Sequence, residues 1–303
     1  MRKVLFYIIL TLSIAGGLLP FSTAEEKKKE ESGEKKPNKG HRTIILEKGD
    51  EIPRDFHQRQ GPAGIIRQIE KFMKKLPEDH TAKIFIGKFL NMNYGGYDDR
   101  INRMVMLGPD GKKDGLEKLY AGGGEGGGGL KHEILWEEGV RHGTEKVYSR
   151  STRHKRYVQK TIPWVKGKVH GTVQVFYPDG EVMAKVPYVH GKQEGVSKSF
   201  SQEGKLTQVV PYKKGKREGK MIQYWPKTGK KKKVVPCENG KVDGTARLFY
   251  EDGTLKAEMP FREDTLHGVE KRYDEDGELK RKRYWLDGEL VPEGVFKDKY
   301  KKD

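Results

Sequence analysis

The chain has 303 residues, of which 34% are hydrophobic and 35% charged, with 38 glycines and a single cysteine, Cys237. Its mean hydropathy of −0.86 is too polar for a bundle of membrane helices, its 10% aromatic content argues against wholesale disorder, and one cysteine excludes an internal disulfide or a cysteine-based metal framework. A formal net charge of +17 favours anionic partners, although charge also serves solubility.

In chain order the first feature is a leader. Met1-Arg2-Lys3 is basic, residues 4–19 carry no charge, and Ser22-Thr23-Ala24 places small residues where a signal peptidase reads. The pattern predicts a secretory signal peptide over residues 1–24, cut before Glu25, with no cysteine there for lipid attachment. Its apolar run of 16 residues is short for a span, so an uncleaved anchor is the second reading. Residues 25–40 hold five Glu, six Lys and no apolar side chain, the composition of a disordered tether.

Residues 41–110 read as a small α/β cap. Between Pro62 and Pro77, Ile65, Ile66, Ile69, Phe72, Met73 and Leu76 recur at helical spacing, with Lys71, Lys74 and Lys75 opposite them. Such a helix packs on its own protein or lies on a lipid surface, and the first use is the commoner. Residues 84–90 and 101–107 read as strands. A repeat array needs a terminal element over its exposed end, and this region is placed to supply it.

From residue 111 the chain repeats itself. A glycine follows a polar residue at Gly115, Gly143, Gly171, Gly195, Gly219, Gly244, Gly268 and Gly294, at spacings of 28, 28, 24, 24, 25, 24 and 26. Five residues later comes a ring: Tyr120, Tyr148, Phe176, Phe200, Tyr224, Phe249 and Tyr273. A second slot holds Trp136, Trp164, Tyr188, Tyr212, Cys237, Phe261 and Trp285, preceded in five units by Pro163, Pro187, Pro211, Pro236 and Pro260. Turns such as Pro178-Asp179-Gly180 lie between the slots.

Two β-prone segments around an Asp/Gly turn make a hairpin, and this period is the mark of stacked supersecondary units. One hairpin cannot bury its rings alone, so neighbours stack them into a shared column, each unit rising about 10 Å. The fold class that follows is mainly β: an elongated array of about seven stacked antiparallel hairpins over residues 111–296, after the cap and before a charged tail at 297–303. Each proline removes a donor and predicts a bulge or an edge beside it. In the first two units the slots lie 16 positions apart, and the surplus is expected in turns at 121–129 and 149–156. Asp264 stands where four earlier units carry Gly before Lys.

The unit, as in Gly191-Lys192-Gln193-Glu194-Gly195 followed by a ring, a turn glycine and a proline-ring pair, resembles the MORN repeat in its bacterial variant form. The resemblance covers nearly two thirds of the chain. It implies consecutive antiparallel hairpins in an extended, curved array, used for protein interaction, scaffolding or contact with membrane lipid. Some relatives carry an antitoxin-type label, and a signal peptide speaks against that role in the cytoplasm.

Candidate chemistry is weak by comparison. The run from Gly122 to Gly129 lacks the Lys and Ser/Thr that a phosphate-binding loop needs, and it sits where a hairpin turn is due. His142, His170 and His267 share one slot but lie a unit apart, about 10 Å, too far to share a zinc ion. Glu194, Glu218 and Asp243 occupy the same slot, and their periodicity points to turn chemistry rather than a glycosidase pair. Cys237 takes a ring slot and should be a buried, inert thiol. No cofactor, metal or catalytic residue is therefore assigned.

Charge gives the functional lead. Residues 141–250 hold 25 basic and 8 acidic side chains, against 12 and 15 over 251–303. Lys168, Lys192, Lys216 and Lys241 each follow a turn glycine and should line one edge at about 10 Å steps. Lys231 and Lys232, in the run 230–233, add to that candidate anion-contact edge. A regular cationic row suits a repeating polyanion, while lysine on strand ends also guards against aggregation. The reading is a non-enzymatic binding or scaffold module of the cell envelope, exported to the periplasm or beyond, contacting a protein partner or an anionic envelope polymer. Export speaks against nucleic acid, and removal of the leader leaves no transmembrane span. The alternatives are an envelope enzyme with a site in 41–110 or on the array, and an antitoxin or immunity-type protein.

Overall fold

The structure, a computed structural model, describes residues 42–52, 64–91, 96–121, 129–150 and 156–300. The leader, the charged tether, the glycine run at 122–128 and residues 301–303 of the tail lie outside the described residues. Strand β1 (Arg42–Glu47), helix α1 (Gly64–Met73), β2 (Thr81–Asn91) and β3 (Gly96–Leu107) come first. The three strands pair antiparallel in order, and β3 continues into the array through Arg103↔Leu119 and Met104↔Lys118. Among the described residues one antiparallel sheet of 24 strands results.

Seven hairpin units follow, opening on Gly115, Gly143, Gly171, Gly195, Gly219, Gly244 and Gly268. Unit 3 shows the pattern: a first strand Gly171–Phe176, a second strand Val182–Val189, and a short strand Lys192–Gln193 that runs into the next unit. The second strand pairs with its own first strand from Gly171↔Tyr188 to Phe176↔Val182. It meets the following unit at Ala184↔Ser199 and Lys185↔Lys198.

The register sorts side chains onto two faces. Successive residues of a strand alternate, and paired residues share a face. Val173 pairs with Val186 on the face of Tyr188, whereas Phe176, three residues beyond Val173, falls on the other face with Gln174, Lys185 and Pro187. The two ring slots are therefore on opposite sides of the sheet, not in one column. Only the position of the bulge, which opposes Val182 rather than Met183 to Phe176, settles this. The face of Val173 is the buried one, with Val173, Ile134, Ile162, Val186, Val235 and Met259 all at most 3% exposed. Trp164, Cys237 and Trp285 are buried on it, and Trp136, Tyr188, Tyr212 and Phe261 are half-buried. On the other, open face Tyr120, Tyr148, Phe176, Phe200, Tyr224, Phe249 and Tyr273 are all half-buried. The tightest layer is thus aliphatic, two residues before the second slot.

The expected bulge at proline is not there. Pro187 pairs in register with Thr172, and the bulge lies at the far end of the hairpin. A strand residue points its N–H and C=O to the same side. The carbonyl of Pro187 accepts from Glu194 N at 3.1 Å, so its missing donor faces the kink at Gly195 (φ 97°) and no bond of its own hairpin is lost. The same kink explains the glycine. A Cβ on Gly171 would lie 3.1 Å from Pro163 Cγ, and on Gly219 3.3 Å from Pro211 Cγ. Each proline is seated against the next unit's glycine.

Two other expectations shift. The surplus in unit 2 lengthens the ladder, through Ser149↔Tyr157 and Arg150↔Arg156, instead of lying in the turn. Glu293-Gly294 does not open an eighth unit but sits in helix α2 (Glu293–Tyr300). Its Phe296 is buried, with its ring 5.3 Å from that of Tyr284. At the other end the apolar stripe of α1 packs on the sheet: Ile69 and Phe72, with Leu76 just past the helix, join Ile84, Met104 and Met106 in one core, with Leu116 and Tyr120 of unit 1 against it.

Candidate functional site

The unit boundaries form one edge of the sheet. Each is a two-residue turn with positive φ at both positions, 47–52° then 70–94°, the geometry of a type I′ hairpin turn. Each turn is held by the unit before it. The second turn residue donates its N–H to a backbone carbonyl of the preceding short strand, as in Gly191 N to Val169 O (2.8 Å) and Gly215 N to Gln193 O (2.8 Å). The first turn residue donates to the acid slot: Lys214 N to Glu194 Oε2 (2.7 Å), Asn239 N to Glu218 Oε2 (2.8 Å), and Glu263 N to Asp243 Oδ2 (3.1 Å). Glu194, Glu218 and Asp243 thus serve turn chemistry, as their period suggested. Asp264 keeps the left-handed conformation (φ 70°), donates its N–H to Val242 O (2.7 Å), and accepts from Val242 N through Oδ1 (2.7 Å).

This stacking puts the lysines in a row. Lys168, Lys192, Lys216 and Lys241 open the short strands and are all exposed. A Cβ on Gly215 would lie 3.9 Å from Lys192 Cβ, and one on Gly240 3.7 Å from Lys216 Cβ, so each lysine stem lies beside the next turn. Lys241 is paired with Glu263 at 3.0 Å. Among the described residues Lys168, Lys192 and Lys216 have no ion pair. Lys231 and Lys232 are elsewhere: they begin the second strand of unit 5, where Tyr224↔Lys231 is the last pair before the hairpin turn, and so lie at the opposite edge. There Lys232 Nζ sits 4.3 Å above the Trp225 ring. The six lysines form two groups, not one edge.

A motif on the buried face escaped the sequence reading. Two residues after the unit glycine stand Glu117, Glu145 and Glu270 in units 1, 2 and 7, each at most 4% exposed. Each accepts an indole N–H from the second slot of its own unit: Trp136 to Glu117 (2.8 Å), Trp164 to Glu145 (2.9 Å), Trp285 to Glu270 (2.8 Å). Nitrogen-bearing side chains complete the shells, with Arg103 Nε 2.5 Å from Glu117, His132 Nδ1 2.9 Å from Glu145 and Arg272 Nε 2.6 Å from Glu270. Units 3 to 6 have neither Glu nor Trp at these two positions. That covariation was open to view in the sequence, but the frame there was built on rings and glycines.

Burial shifts several groups. It pushes the phenol of Tyr120 well above its usual value, with the Glu133 carboxylate adding to the effect. It also raises Tyr148, which donates to Glu133 Oε2 at 2.6 Å. Glu133 feels opposing influences: burial raises it, but the Tyr148 hydrogen bond and Lys118 outweigh that and hold it low. Burial raises the Cys237 thiol and lowers the Lys233 ammonium. No group of three or more His, Cys, Asp or Glu among the described residues is placed to hold a metal ion, and no helix among them is long and apolar enough to cross a membrane.

A family model for the MORN repeat variant matches residues 169–190, 193–214, 242–263 and 266–287. These windows are units 3, 4, 6 and 7. Units 1, 2 and 5, which have more residues between their two ring slots, fall outside the windows yet keep the same strand register. A comparison with curated proteins finds no match. Four matched windows in one frame, accompanied by three more hairpins of the same geometry, identify the repeats of this array as MORN-variant repeats.

Proposed function

We propose that the array is a non-enzymatic binding module of the cell envelope whose turn edge contacts an anionic polymer. Repeat arrays of this family commonly serve as binding modules. The observation that carries the finer reading is the row of Lys168, Lys192 and Lys216, exposed, in register, and without a carboxylate partner among the described residues. A polymer with regularly spaced charge gains one contact per unit, so affinity grows with the number of units engaged. The engagement of Glu194, Glu218 and Asp243 by backbone N–H groups supports a structural use for the acid slot and a module without catalysis. The leader pattern supports export.

Retention on immobilised heparin tests the edge. The full chain should be retained at low salt and released as salt rises, because exposed charges are screened. The variant Lys168→Glu/Lys192→Glu/Lys216→Glu should elute at much lower salt. Unchanged elution of that variant would reject the edge, and salt-insensitive capture by a single envelope protein would favour a protein partner in its place. Export is checked by sequencing the N-terminus of the chain recovered outside the cytoplasm, which should begin at Glu25.

A further inference from the structure

The open face of the sheet is covered at both ends by the chain's own helices. At one end Ile69 and Phe72 of α1, with Leu76 just after it, insert over β2, β3 and unit 1. At the other, Phe296 of α2 packs on Tyr284, which occupies the slot where earlier units carry proline. Between them, among the described residues, no element lies over units 3 to 5. This stretch presents Phe176, Phe200 and Tyr224, all half-buried, toward one end of the hairpins and Pro187, Pro211 and Pro236 toward the other, with Val196 48% exposed. Half-covered apolar side chains running over three units exceed the scatter normal on a monomer surface.

The charge of this stretch is one-sided. Its cross-strand pairs run Thr172↔Pro187, Gln174↔Lys185, Phe176↔Val182; Val196↔Pro211, Lys198↔Val209, Phe200↔Leu206; Lys220↔Pro236, Ile222↔Val234, Tyr224↔Lys231. They contain four lysines and no acid. Toward both ends the same face is neutralised: Lys118 pairs with Glu133 at 3.3 Å, and Arg247 and Lys271 with Glu258 at 3.1 and 3.7 Å. Lys185, Lys198 and Lys220 are exposed and have no ion pair among the described residues.

We propose that the open face of units 3 to 5 docks an acidic amphipathic helix of a partner protein. Its apolar stripe would lie over the Phe176, Phe200 and Tyr224 column as the stripe of α1 lies over Met104 and Met106, and its carboxylates would meet Lys185, Lys198 and Lys220. Three units span about 30 Å, the length of a helix of about 20 residues. The inference rests on the binding-module reading but not on the lysine row of the turn edge, which is a separate surface with a separate ligand.

The probe is a fluorescein-labelled helical peptide of about 20 residues, Leu and Phe on one face and Glu on the rest, followed by fluorescence anisotropy against the full chain. A scramble of the same composition, without the stripe, is the control. The stripe peptide should bind and keep most of its affinity at high salt, while the scramble should not bind. Lys185→Glu/Lys198→Glu/Lys220→Glu should weaken binding about tenfold, the combined size of three surface charge contacts. The turn-edge triple variant should leave it nearly unchanged while lowering the salt at which the chain leaves heparin, so the two surfaces fail or survive independently. Phe200→Ala, checked by circular dichroism for folding, should weaken the stripe peptide and leave heparin elution as it was. Equal binding of peptide and scramble, or an affinity untouched by the face triple variant, would overturn the proposal.

Discussion

In units 1, 2 and 7 the buried cross-strand layer carries a glutamate that receives an indole N–H. In units 3 to 6 the same position holds Val173, Ser197, Met221 or Ala246, on the same face as Tyr188, Tyr212, Cys237 or Phe261. Both solutions keep one register and one turn geometry, so the hairpin frame does not depend on which is used. What differs is the coupling. An apolar pair tolerates change on either side, whereas a buried carboxylate binds the identity of its ring and its cation together. The outer units are therefore locked to particular partners, and the middle units are left free to vary on both faces, where the unpaired lysines collect.

The largest effect should come from breaking a locked unit. Glu145→Val strips Trp164 Nε1 of its acceptor and leaves His132 and Arg141 beside an apolar residue, at a cost of about 3 kcal/mol by chemical denaturation. Adding Trp164→Tyr converts unit 2 to the Val173/Tyr188 chemistry of unit 3 and should recover part of that loss. A double variant as destabilised as the sum of the singles would show that the two positions are not coupled.

The unit glycines give the next effect and separate the two regions again. Gly195→Ala in unit 4 places a Cβ 3.4 Å from Pro187 Cγ, an ordinary contact, so the cost is that of a non-glycine residue at φ 97°, about 2 kcal/mol. Gly268→Ala in unit 7 meets Pro260 Cγ at 2.9 Å with φ 121°, and overpacking should add about 1 kcal/mol. Equal losses in thermal melts would mean that the proline seat carries no energy.

These glycines, the rings and the turn residues were legible in the sequence, because each follows from a local demand: positive φ, a reverse turn, an apolar slot. The helix around Ile69 was legible for the same reason, its stripe having the right period. Three things were not. The face of each ring depends on where the bulge opposite Phe176 falls, which is a property of pairing, not of period. The acidic core of Glu117, Glu145 and Glu270 reads as surface until the face is known. Helix α2 was hidden because Glu293-Gly294 fits the repeat frame by chance, and only the packing of Phe296 on Tyr284 reveals that the array has ended.

A pH titration probes the outer region through Tyr120 in unit 1. Burial, helped by Glu133, holds its folded pKa above the ordinary value of 10.0. Below about 10 the phenol is neutral in both states and contributes its full share; above it the unfolded chain ionises first, so stability is lost as pH rises. Tyr148 in unit 2, and Tyr188 and Tyr212 in the middle, shift in the same direction. Tyr120→Phe should leave stability at neutral pH almost unchanged and make the alkaline decline shallower. An alkaline limb identical to that of the parent chain would place Tyr120 in solvent.

The smallest effect is expected at Asp264, where the frame is broken and mended at one residue. Glycine is the ordinary occupant and is the residue best suited to φ 70°, so Asp264→Gly relieves strain of about 1 kcal/mol. It also removes a charged acceptor from Val242 N, worth about 1 kcal/mol at a turn. The two should nearly cancel, leaving the melting temperature close to that of the parent. Asp264→Ala loses the acceptor without relieving the strain and should cost more than Asp264→Gly, by about 1 kcal/mol. If the alanine variant were the more stable of the two, the carboxylate bond and the left-handed backbone would not be what compensates for the missing glycine.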